Sequence, residues 1–270
     1  MPFTNARVMM HAMQYASTFG FGVWLRPQDA SLANGGVAHD GEVATRLGLP
    51  AISVCAETVA LSNIILMARE TGATVHLCRI SSAEGVAMVR AARQQGLPVT
   101  CDVAANHMHL SEMDIGFFDS NCHLVPPLRG LSDRNALRAG LLDGTIDAVC
   151  SDHTPVDEDA KLLPFGEAEA GATGLELLLP LTLKWAAEMR IPLVAALAKV
   201  TMEPARILGI DAGHLSPGAA ADLCIFDPDQ YWKVEAAALK SQGKNTPFLD
   251  MELQGKVKYT LVNGNIVNQG

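Results

Sequence analysis

The sequence predicts an α/β protein assembled from parallel strand-helix units and completed by an all-β tail. Three observations lead there. Four short apolar runs end near Arg26, Arg79, Val103 and Cys150. Helical patterns fill the roughly 25–50 residues between them, which is the rhythm of βα units rather than of hairpins. Near residue 212 the composition then shifts to turn residues and alternating strand patterns. The expected organisation is therefore an α/β region over residues 1–212 and a β region over residues 213–270.

Composition narrows the function classes. The chain has 270 residues, 49% of them hydrophobic and 18% charged, as expected of a well-buried globular protein. Apolar runs stay shorter than about 18 residues, and the opening MPFTNARVMMHAMQYAS has helical periodicity rather than a signal-peptide layout. A soluble cytoplasmic protein without a membrane segment is expected. The net charge of -9 comes without any Lys/Arg stripe, which argues against nucleic acid as a partner. The six cysteines, Cys55, Cys78, Cys101, Cys122, Cys150 and Cys224, never form a Cys-x-x-Cys pair. They read as reduced, buried core thiols.

Taken in order, Thr4 to Phe19 repeats Val8, Met9, Ala12, Met13 and Ala16 at helical spacing until Gly20 and Gly22 stop it. Phe21 to Leu25 is the first strand. Helices follow at 42–47 and 57–70, the second ending at Gly72. Thr74 to Arg79 is the second strand, and Ser82 to Gln95 a helix capped near Ser81 or Ser82 and closed by Gly96. Val99 to Val103 is the third strand. A long loop from Ala104 to Gly130 has the length of a binding loop. Helix 131–142 leads into the fourth strand, Ile146 to Cys150, and helices are expected at 175–189, 192–200 and 204–208. In the tail, Ser216-Pro217-Gly218 marks a turn before a strand, and Asn263-Gly264 marks the turn of a hairpin.

The fourth strand ends at Ser151-Asp152-His153-Thr154-Pro155, where a carboxylate and an imidazole emerge together at a strand's C-terminal end. In a βα barrel the chemistry sits on that face, because the βα loops converge over it. With Gly171, Gly174, Leu175 and Glu176 after it, this stretch resembles the last barrel strand and loop of the dihydroorotases, a branch of the amidohydrolase superfamily. Pro126-Pro127-Leu128-Arg129 is similar to another family segment. In the tail, Ala221-Asp222-Leu223, Asn245-Thr246-Pro247-Phe248 and Thr260-Leu261-Val262 are similar to the family's β-sandwich. The resemblance implies the C-terminal half of a TIM (β/α)8-type amidohydrolase barrel plus part of a small β-sandwich. The family pattern continues in front of this part, carrying the His-x-His of the first barrel strand and the carboxylate or carboxylated lysine of the fourth. A half barrel leaves two bare sheet edges, so the chain is expected to be a fragment or to have its missing half supplied by another chain.

The resemblance also assigns metal positions. The Asp of the family's Asp-His motif binds zinc and carries protons for the attacking water, a role that falls on Asp152. Two zinc-binding histidines close the strands matched by Phe21–Leu25 and Thr74–Cys78, but Arg26 and Arg79 stand there. A guanidinium has no lone pair to offer and stays protonated. Both arginines are therefore expected to occupy the metal's place and pair with Asp152, leaving Asp152 idle and the chain without a metal cofactor; the bland reading sends them into solvent. The old pocket is expected to be lined by His107, Val125, His153 and Val156. Val125 and Val156 replace family hydrogen-bonding residues with isopropyl groups, which suits a charged dihydropyrimidine poorly. His107-Met108-His109 has zinc-like spacing, but it follows the third strand and reads as ordinary loop histidines. His11, His39, His76, His123 and His214 have no partner at ligand spacing and read as structural or solvated.

Two functions compete. One is a catalytically silent dihydroorotase-like subunit of pyrimidine biosynthesis, an oligomer whose partner is the aspartate transcarbamoylase catalytic chain. The other is an active cyclic amide hydrolase interconverting carbamoyl-aspartate and dihydroorotate, which requires zinc. A weaker third reading has Arg26 and Arg79 binding an anionic metabolite without metal.

Overall fold

The computed structural model describes residues 5–270. Helix α1, Ala6–Thr18, is capped by Asn5, whose side chain accepts from the backbone N–H groups of Arg7 and Val8. Thr4, the expected start, lies outside the described residues. Strand β1 is Val23–Leu25, β2 Ala38–His39, α2 Glu42–Leu47, β3 Ala51–Ile52 and α3 Cys55–Thr71. Then come β4 Val75–Leu77, α4 Ala83–Gln94, β5 Val99–Ala104, α5 Ala105–His109, α6 Leu131–Leu142 and β6 Ala148–Cys150. Helices α7 Glu158–Lys161, α8 Leu178–Met189, α9 Leu193–Ala198 and α10 Met202–Leu208 follow. Strands β7 Leu223–Lys233, β8 Glu252–Val262 and β9 Asn265–Gln269 end the chain.

The four strands expected from the apolar runs form one parallel sheet in the order β1-β4-β5-β6. Three of them are shorter than the apolar run that announces them, whereas β5 extends one residue past its run. Alternation along the strands divides the sheet. Val75, Leu77, Val99 and Cys101 are fully or almost fully buried in the core. Trp24, His76, Thr100 and Asp102 share the other face, through the register Trp24–His76–Thr100. Among the described residues, β1 pairs with no strand on its outer edge. Tyr15, Phe19, Phe21 and Trp24 are exposed beside that edge, with the Tyr15 and Phe19 rings 4.6 Å apart. At the other side the Val149 N–H donates to the Lys199 carbonyl at 3.0 Å, so the turn after α9 covers part of β6.

Two features depart from expectation. The segment 104–130 is not an open loop: α5 and two 3-10 turns order it, and Met108, Leu110, Ile115, Leu124 and Leu128 anchor it in the core. A small parallel pair, β2 with β3, was not anticipated from the sequence, since two-residue strands carry no periodicity. The tail forms a three-stranded antiparallel sheet, β7-β8-β9. Its Asn263-Gly264 turn has both residues at positive φ, 48° and 77°, as a two-residue hairpin requires. This sheet packs on α8 at Gly255, whose φ of 101° favours glycine and where a Cβ would lie 2.4 Å from Leu183 Cδ1.

The cysteine expectation needs correction. Cys101 and Cys122 are buried, Cys78 and Cys150 half-buried, and Cys55 and Cys224 exposed. Cys224 lies in a strand-like run as expected, but its face of β7 meets solvent. Burial on one strand face is decided by what covers it.

Candidate functional site

The candidate site begins where β4 ends. Arg79 (φ 59°) and Asp152 (φ 46°) both occupy the left-handed region, which costs a non-glycine residue roughly 1 kcal/mol. These turns aim two strand-end side chains at each other. The Arg79 guanidinium donates to an Asp152 carboxylate oxygen and, at 3.4 Å, to the Val125 carbonyl. The Asp152 side chain is 10% exposed and that of Arg79 26%, so the pair is largely withdrawn from water.

Glu57, at the start of α3, fixes the turn that carries Arg79. Only 3% exposed, it accepts from the N–H and hydroxyl of Ser81, at 2.9 and 2.5 Å, and from those of Ser82. Arg129, equally buried, donates to the Ser81 hydroxyl at 3.2 Å and to the Ile52 carbonyl at 2.8 Å. Ser82 also caps α4 through the Gly85 N–H. Sequence reading located the cap and missed the buried carboxylate beneath it, because a glutamate in a first helical turn ordinarily reads as exposed.

Arg26 is exposed and makes no ion pair among the described residues. Partial desolvation and the nearby Arg79 charge lower its pKa, and Asp152 opposes them. Of the two arginines, then, only Arg79 contacts Asp152. Together they border a cleft of about 810 Å³ that also exposes Trp24, Gln28, Asp29 and Asn63. The other expected pocket residues are dispersed. His107 is 2% exposed, its Nε2 near the carbonyls of Pro126 and Pro127 at 3.1 and 3.2 Å, and its Nδ1 without a partner. Desolvation lowers its pKa. His109 Nε2 lies 2.8 Å from the Leu181 carbonyl. His153 Nδ1 accepts from the backbone of Gly174 and Leu175, pinning the following loop. Val156 belongs to a second cavity of about 720 Å³, with Lys161, Lys244 and Asn245.

These strand ends do not fit a dication. A guanidinium already fills the coordination side of Asp152, and a second cation stands beside it. A different donor group lies further back along the same face. His76, Cys78 and Asp102 offer one nitrogen, one sulfur and one oxygen within 4.8 Å of one another. This corrects the reading of His76 as partnerless. Its signal was present in the sequence as His76-x-Cys78, two residues on one strand face, with Asp102 on the neighbouring strand.

The chain matches the Amidohydrolase family over residues 41–267. It is similar to a "Dihydroorotase-like protein" of Pseudomonas putida, with 42% identity over 97% of this chain and 62% of that protein. A protein of the same name from Pseudomonas aeruginosa is 41% identical over 99% of this chain and 63% of its own length. A "Dihydroorotase" of Geobacter sp. (strain M21) is 40% identical over 99% and 63%. The chain thus spans about 63% of the length of the curated relatives it matches. Among solved structures it is similar to the L-hydantoinase (dihydropyrimidinase) of Arthrobacter aurescens, with TM-score 0.88, 24% identity, and coverage of 98% of this chain and 61% of that one. The D-hydantoinase of Thermus sp. superposes with TM-score 0.87 at 20% identity, over 98% and 61%. At these identities the structural likeness shows the fold alone: part of a TIM-type amidohydrolase barrel with a β-sheet appended.

Proposed function

Because this chain belongs to the amidohydrolase family, we propose that it is a dihydroorotase-like protein of pyrimidine biosynthesis whose strand-end site is catalytically silent. It serves as a structural subunit, in an oligomer with the aspartate transcarbamoylase catalytic chain, in the cytoplasm. Relatives named dihydroorotase or dihydroorotase-like support the pathway. No described helix is long and apolar enough to cross a membrane, which accords with a soluble complex.

The observation that carries silence is the Arg79 hydrogen bond to Asp152. Hydrolysis of a cyclic amide needs a water made nucleophilic and a base to take its proton, and family members usually rely on a bound metal for the first. Here the carboxylate suited to the second task is occupied by a permanent cation, and that cation repels a metal. We therefore assign no metal to the strand ends. The competing reading, an active dihydroorotase, rests on the retained Asp152 and on the relatives' names.

The experiment has two arms. Purified chain, with and without added zinc or manganese, is assayed for ring opening of dihydroorotate and for its reverse; no turnover above background is expected. Tagged chain is mixed with the aspartate transcarbamoylase catalytic chain and analysed by native mass spectrometry, where a defined complex is expected. Metal-stimulated turnover abolished by Asp152→Asn would overturn silence, and absence of any complex would overturn the subunit role.

A further inference from the structure

We propose that His76 Nε2, Cys78 Sγ and an Asp102 carboxylate oxygen form a three-ligand site for zinc inside the sheet face, separate from the strand ends that carry Arg79. The donor set is suited to the ion: zinc takes imidazole, thiolate and carboxylate together, in tetrahedral arrangements that leave a position for water. A tetrahedral site with bonds of about 2.0–2.3 Å places its donors about 3.2–3.8 Å apart. The three donors already lie within 4.8 Å of one another, so movements of a fraction of an ångström to about an ångström bring them to bonding distance.

The surroundings orient each donor. His76 is 3% exposed and lies under the Trp24 ring, with centroids 4.3 Å apart. Its Nδ1 is 2.8 Å from the Thr100 hydroxyl and its Nε2 2.9 Å from Asp102 Oδ2. A metal-binding histidine characteristically gives its second ring N–H to an oxygen, and Thr100 stands ready to receive it. The other Asp102 oxygen accepts from the Arg79 backbone N–H at 2.8 Å and the Cys150 thiol at 3.3 Å, which leaves Oδ2 for His76. Burial, then the Asp102 charge, push the Cys78 thiol up to about 11, so without a cation it stays protonated near neutrality. Arg79 and Arg26 offset part of that effect.

The protons can be followed. Zinc would take the Nε2 lone pair of the neutral imidazole in its Nδ1–H tautomer, with that N–H donated to the Thr100 hydroxyl. Cys78 loses its thiol proton to solvent. One proton is released per ion, and no electron moves.

The test uses the whole chain. Cobalt(II) is the spectroscopic probe, because a thiolate ligand gives a sulfur-to-cobalt charge-transfer band that oxygen and nitrogen ligands do not. The expected result is near-stoichiometric binding with that band, displacement by zinc, and zinc protection of Cys78 from alkylation mapped by mass spectrometry. Exposed Cys55 and Cys224 alkylate regardless. Cys78→Ser should remove the band and weaken zinc binding at least tenfold, Asp102→Asn should weaken it similarly, and Cys55→Ser should leave both unchanged, with circular dichroism verifying folding. No stoichiometric metal in the wild type, a charge-transfer band that survives Cys78→Ser, or unprotected Cys78 in the zinc-loaded wild type would overturn the site. Turnover of dihydroorotate does not bear on it, so it stands or falls independently of catalytic silence.

Discussion

The turn that follows β4 and the short helix that follows β5 sit side by side, yet they satisfy their polar groups in opposite ways. At Arg79–Ser82 the partners are ions: Asp152 for Arg79, and Glu57 for the two serines. In α5 they are imidazoles set against carbonyl oxygens, His107 against Pro126 and Pro127, and His109 against Leu181. The difference follows from water and from chain geometry. Around Arg79 some solvent remains, and the buried Glu57 charge is met by four serine donors and the nearby Arg129 cation. The α5 imidazoles face neutral carbonyls, and desolvation lowers their pKa values toward the neutral form.

The comparison can be broken most forcefully at Glu57. Glu57→Gln turns one acceptor oxygen into a donor facing Ser81 or Ser82 donors, and it should cost about 3–4 kcal/mol by chemical denaturation. A loss below about 1 kcal/mol would mean that the turn is not held by charge. On the imidazole side, His109 titrates at about 4 when folded, against 6.5 as its ordinary value. Between those values the unfolded chain binds more protons, so stability falls as pH drops through that window, by on the order of 3 kcal/mol in total. His109→Gln keeps a donor for the Leu181 carbonyl and should flatten that slope; a slope unchanged from wild type would remove His109 as its source. Arg79→Ala should cost about 2–3 kcal/mol, less than the roughly 3–5 typical of fully buried pairs because the guanidinium is a quarter exposed. The Arg79→Ala/Asp152→Ala double variant should recover part of that loss, whereas simple additivity would show that the two do not interact.

Much of this architecture was legible in the chain because its signals are local. The apolar runs ending near Arg26, Arg79, Val103 and Cys150 announced the four parallel strands, and Ser82, Gly72 and Asn263-Gly264 mark caps and a turn by chemistry that needs no distant partner. The expectation that both arginines reach Asp152 met a structure in which Arg79 does so and Arg26 faces the open cleft. Both end apolar strands, and nothing within either segment distinguishes them. Glu57 and Asp102 were overlooked for a related reason: a lone carboxylate in a sequence carries no mark of the donors that will surround it.

The sequence by itself determined where the four parallel strands and the longer helices form, and that the Asn263-Gly264 hairpin turn would take a left-handed backbone. Those outcomes depend on periodicity, backbone sterics and side-chain chemistry, all written within a few residues. Tertiary structure alone decided which cation meets Asp152, which cysteines see water, and that His76, Cys78 and Asp102 converge. Convergence requires strands 24 residues apart in sequence, β4 and β5, to pair in a register that sets His76 opposite Thr100, and register is a property of the folded sheet.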